Sequence, residues 1–96
     1  MMRCAFAAAL PEWQGVLEFE VPESSTVADV LARARDRLQT IAPNALEQDA
    51  WHSGTVGIFG VVCERTQTLR SGDRVELYLP LSVDPKEARR ARARAR

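Results

Sequence analysis

The sequence predicts an α+β domain in which one helix packs on a mixed four- or five-stranded sheet. Three observations carry this: two alternating apolar–polar runs at the start, one capped amphipathic stripe in the middle, and further β-branched runs after it. At 96 residues the chain is one small domain. Apolar residues make up 46% and charged residues 27%, which fits a globular chain and not a disordered or fibrous one. A domain of this size buries about three fifths of its unfolded surface, leaving little room for a deep cleft between lobes.

The first run places Cys4, Phe6, Ala8 and Leu10 on one side and Arg3, Ala5, Ala7 and Ala9 on the other. Leu10–Gly15 supplies turn chemistry through Pro11 and Gly15. In the second run Leu17, Phe19 and Val21 point inward while Glu18 and Glu20 face water. Together the two runs read as a β-hairpin.

A helix follows. Thr26 and Asp29 form a capping-box pair that satisfies orphan N–H groups of the first turn. Val27, Val30, Leu31, Ala34, Leu38 and Ile41 then recur at spacings of three and four, one apolar stripe. Asp29 and Arg33 stand at i,i+4 in the favourable orientation. Pro43 ends the helix, because proline cannot continue the ladder. Residues 44–54 read as polar and irregular, with one short helical turn around Leu46.

Thr55–Phe59 reads as a strand, and Val61–Glu64 as its short companion. After a turn at Leu69–Asp73, the run from Arg74 turns Val75, Leu77 and Leu79 inward until Pro80 closes it. Strand, strand, helix, strand, short strand, strand is most economically buried with the helix on one sheet face. That is the β-grasp, or ubiquitin-like, architecture, expected over residues 1–85.

Several motifs carry a more specific likeness. Ala9–Glu12, Val56–Ile58, Gly72–Tyr78 with Pro80-Leu81, and Asp84–Arg90 together resemble the RnfH family. The resemblance runs through nearly the whole chain. It implies a small bacterial ubiquitin-like protein related in fold to the sulfur carriers of thiamin and molybdopterin synthesis. It also implies two settings, an Rnf electron-transport complex or a toxin–antitoxin pair.

Carrier chemistry would need a terminal Gly-Gly. The glycines stand at 15, 54, 57, 60 and 72, and no two are adjacent, so an activated carrier ranks last among the readings. His52 has no nucleophile context beside it and reads as a solvated loop residue next to Trp51. Cys4 and Cys63 form no disulfide framework and, with His52, match no zinc spacing, so both read as small apolar strand residues. No metal, cofactor or catalytic residue is expected, and the protein is expected not to be an enzyme. The apolar run Cys4–Leu10 imitates a signal-peptide core but is short and stops at Pro11-Glu12, so a cytoplasmic protein is expected.

The formal charge of zero conceals a segregation. Residues 1–85 hold seven basic and twelve acidic groups, a net −5, and residues 86–96 hold six basic and one acidic, a net +5. Asp84-Pro85-Lys86-Glu87 resembles a helix start, but like charges at Arg90/Arg94 and Arg92/Arg96 oppose a helix, so a mobile tail is expected. Arg89, Arg90, Arg92, Arg94 and Arg96 are its candidate anion contacts, with RNA or the ribosome as the partner. The second candidate surface is the sheet face away from the helix, where Ala5 and Ala7 approach Tyr78. Trp13 in the first turn reads either as an interface anchor or as a side chain packed over the hairpin's end. The leading expectation is a non-catalytic protein-binding module acting through that face. An RNA- or ribosome-associated factor using the tail is the alternative.

Overall fold

The computed structural model describes residues 1–78. Five strands form one sheet: β1 (Met2–Leu10), β2 (Trp13–Val21), β3 (Thr55–Ile58), β4 (Val61–Cys63) and β5 (Arg74–Tyr78). Their spatial order is β2-β1-β5-β3-β4, with β1 and β5 parallel and every other pair antiparallel. Helix α1 (Val27–Ile41) lies on one face, followed by a 3-10 helix (Pro43–Glu47) and the single-turn α2 (Ala50–Ser53). This is the β-grasp arrangement. The expected tail and its arginines, together with Leu79 and Pro80, lie outside the described residues. No helix among the described residues is long and apolar enough to cross a membrane.

The helix starts where its capping pair stands. The Thr26 N–H donates to Asp29 Oδ2 at 2.8 Å, and the Asp29 N–H donates to Thr26 Oγ1 at 3.3 Å. That commitment explains one departure: Asp29 makes no ion pair with Arg33, because its carboxylate closes the capping box. Val27, Val30, Leu31, Ala34 and Leu38 are buried as the stripe requires. Ile41 is 52% exposed instead, being the last helical residue before the chain turns at Ala42 into the 3-10 helix.

Under the helix, Cys4, Phe6 and Leu10 of β1 meet Val21 of β2 and Val75 and Leu77 of β5. Fully burying each large apolar side chain is worth about 1.5–3 kcal/mol, so this layer supplies most of the drive to fold. Two corrections concern its edges. The first turn is only Pro11-Glu12, because β2 already begins at Trp13, paired with Leu10. Residues 44–54 are not merely polar and irregular, since they bury Ala45, Ala50 and Trp51. Trp51 stacks on Phe6 with ring centroids 5.4 Å apart, and its indole N–H donates to the Ala45 carbonyl at 2.9 Å. Arg65 fastens the segment from outside by donating to the Ala50, Trp51 and Gly54 carbonyls.

Candidate functional site

Strand alternation decides what the outer sheet face displays. Because Cys4, Phe6 and Leu10 point to the core, Ala5, Ala7 and Ala9 point away from it. Register then aligns neighbours across the strands. Val16 pairs with Ala7, Ala7 with Glu76, Glu76 with Gly57, and Gly57 with Val62. The adjacent row runs Glu18–Ala5–Arg74, and Tyr78 pairs with Thr55. Ala5, Ala7 and Tyr78 therefore share one face, as expected. Trp13 does not: it faces the core side, half-buried, and stacks on Phe6 with centroids 6.4 Å apart. Its place in the β2 alternation, two residues before Gly15 and four before Leu17, puts it with the inward set.

The tyrosine is held in place. Its hydroxyl donates to Glu76 Oε1 at 2.9 Å, and its ring lies over Gly57 of β3. Gly57 permits this, since a Cβ there would sit 2.8 Å from the Tyr78 hydroxyl and 3.0 Å from its ring. Glu76 also accepts from the Gly60 N–H and from Arg74 Nη2 at 3.2 Å. Burial opposes ionisation of Glu76, but hydrogen bonds from Tyr78, Gly60 and Arg74 and the charge of Arg74 outweigh it, so its pKa lies below the ordinary carboxylate value. Burial, then the hydrogen bond to Glu76 and its negative charge, push the Tyr78 phenol up.

Beside this network lies a shallow, open depression of about 420 Å³, lined by Ala7, Ala8, Ala9, Gly15, Glu76, Leu77 and Tyr78. Alanine loses no rotamer freedom on contact, and a fixed tyrosine loses little, so the shelf presents apolar area at low entropic cost. Sequence reasoning missed the neighbouring β3–β4 turn. Phe59 and Gly60 both have positive φ (49° and 81°), the φ signs of a type I′ hairpin turn, which favours Asn-Gly. The Ile58-Phe59-Gly60-Val61 spacing contained that signal, hidden by an unusual residue at the first turn position. Phe59 is 59% exposed, with the Arg74 guanidinium 5.9 Å from its ring centroid.

Other candidate chemistry stays dispersed. Among the described residues no three His, Cys, Asp or Glu side chains cluster. Cys4 and Cys63 sit on strands three places apart in the sheet, about 14 Å by strand spacing, too far to bridge. Burial raises the pKa of both thiols, and at Cys4 the charge of Asp73 adds to it, which disfavours reactive thiolate. His52 is exposed at the end of α2, not in a loop.

Residues 2–92 match the family model described as RnfH family Ubiquitin. The chain belongs to the RnfH family. Protein RnfH of Halorhodospira halophila (strain DSM 244 / SL1) is 44% identical over 85 residues, covering 88% of this chain and 81% of the relative. Protein RnfH of Neisseria gonorrhoeae (strain NCCP11945) is 36% identical over 92 residues, covering 96% and 94%. In three dimensions this RnfH-family chain is similar to SAMP1 from Haloferax volcanii, with a TM-score of 0.63 at 19% identity, covering 85% of this chain and 99% of that one. It is also similar to a putative molybdopterin converting factor, subunit 1, from Pyrococcus furiosus, with a TM-score of 0.60 at 15% identity, covering 84% and 100%. At such identities the structural likeness establishes the ubiquitin-like fold, and function has to be argued from the site.

Proposed function

We propose that this RnfH-family chain is a non-catalytic, cytoplasmic binding module that engages a protein partner through the outer sheet face, centred on Ala5, Ala7 and Tyr78. The observation that supports it is the pre-set tyrosine over an alanine shelf, with Tyr78 tied to Glu76 across Gly57. An aromatic anchor already in its bound orientation contributes affinity without an ordering cost. The Rnf complex and the toxin–antitoxin pair are the two settings in which such a partner is to be sought.

Photo-crosslinkers placed at Ala7 and at Tyr78 should capture one common polypeptide in the native cytoplasm, while one placed at Asp36 on α1 captures none of it. Capture through Asp36 alone would defeat the reading. The charge segregation supports a second reading, in which the basic residues 86–96 contact RNA or the ribosome. RNA binding that vanishes on deleting residues 86–96, with no protein captured from the sheet face, would favour it.

A further inference from the structure

The β4 end of the sheet combines features that the binding reading does not use. Val61 and Val62 are 69% and 65% exposed, and they lie beside Phe59 on the sheet's edge strand. An edge strand is usually protected by charge, proline or a bulge, and the three residues of β4 carry none of these. Its backbone groups that find no partner among the described residues can be located. The Val61 carbonyl oxygen faces β3, lying 2.7 Å from where a Cβ on Gly57 would sit. There are no cis peptides, and in a trans peptide the N–H points opposite the C=O, so the Val62 N–H points to the open edge. Strand alternation directs the Val62 carbonyl the same way.

We propose that β4 pairs antiparallel with the β4 of a second copy of this chain, about a two-fold axis at Val62, making one continuous ten-stranded sheet. The strand is self-complementary about that residue. Val62 opposite its own symmetry mate exchanges two N–H···O=C bonds, and Val61 falls opposite Cys63 of the second copy. Gly60 then falls opposite Glu64 of the second copy, on the outer face and level with Arg74. Arg74 and that Glu64 stand three strand spacings apart, about 14 Å between Cα atoms, a gap that an extended arginine and glutamate close from both sides. The Arg74 side chain is 43% exposed and already bonds Glu76 through Nη2 at 3.2 Å. The second carboxylate would therefore take its Nη1, for which the described residues offer no partner. Glu64 makes no ion pair among the described residues. Two-fold symmetry makes the charge match twice. A second copy fits better than an unrelated strand because both the backbone register and the charges complement themselves.

So small a contact gives a weak dimer, visible only at high protein concentration. Sedimentation of the full chain over a concentration series should show a monomer–dimer equilibrium. Val62→Lys, checked for folding by circular dichroism, should weaken it by about tenfold or more through like charges at the axis. Val61→Cys tests the register. Val61 and Cys63 of the second copy form a non-hydrogen-bonded pair with Cα atoms about 4.5 Å apart, within disulfide range. Mild oxidation should therefore give a covalent dimer linking the introduced cysteine to Cys63. A wild-type chain that stays monomeric at millimolar concentration would overturn the proposal. So would a Val61→Cys dimer joined only through like positions, or none at all.

Discussion

The two hairpins of this sheet solve the same problem in opposite ways. β1 and β2 are nine residues each, paired from Met2–Val21 to Leu10–Trp13, with their inward side chains in the core. β3 and β4 are four and three residues, and their turn presents Phe59, Val61 and Val62 to solvent. The outward side of β2 carries Glu18 and Glu20, which discourage edge pairing, whereas the outward side of β4 carries valine. The first hairpin holds the fold together, and the second is fastened by side chains reaching across from β5. The contrast teaches that stability and display are divided between the ends of one sheet.

The comparison breaks most severely at Phe6, which lies between the Trp13 and Trp51 rings. Phe6→Ala should cost about 3–5 kcal/mol in a denaturant titration, since the stack cannot collapse into the cavity. A loss below about 1.5 kcal/mol would mean that the first hairpin is not the stabilising one. Gly57→Ala comes next. Its Cβ meets backbone at Val61 and the ring of Tyr78, so about 1–3 kcal/mol should be lost. Near-ultraviolet circular dichroism should show Tyr78 displaced; an unchanged signal would show that the glycine does not position the ring.

Acid and base should act on the second hairpin first. The lowered pKa of Glu76 means the fold favours its ionised form. That contribution is present above the ordinary carboxylate range and is lost as pH falls through the lowered value. The raised pKa of Tyr78 has the opposite sense: its contribution is present below the ordinary phenol range and is lost as pH rises through the raised value. Hydrogen exchange should show β4 and Gly60 loosening at low pH before β1 and β2, and Glu76→Gln should remove that dependence. The smallest effect is expected at Phe59→Asn. The left-handed turn position gains roughly 1 kcal/mol, against about 0.5 kcal/mol lost with the Arg74–ring contact. Thermal unfolding should therefore show a slightly more stable protein.

Legibility in the sequence followed the range of the determining contact. Thr26 and Asp29 are three residues apart, so the helix start could be read locally, and alternation alone turned Ala5 and Ala7 outward. The side taken by Trp13 depended on where the turn ended, and a proline followed by a glycine suggested a longer turn than Pro11-Glu12. Trp51 stands alone in a polar stretch, so no periodicity announced that it would pack on Phe6. Gly57 carries no pattern at all, because its role is set by a ring from a different strand. Family membership was legible through linked motifs, while the outer-face shelf around Tyr78 is a matter of shape assembled from four strands.

The placement of the aromatic side chains has a practical consequence. Both tryptophans stack against Phe6 on the helix side, while the chain's single tyrosine lies on the other face. Indole fluorescence therefore reports on the core alone, and the ultraviolet absorbance of tyrosinate reports on the outer face alone. The molecule has two optical channels separated by the thickness of one sheet. With them, a contact that perturbs only the outer face can be told from one that loosens the whole domain, without attaching a label.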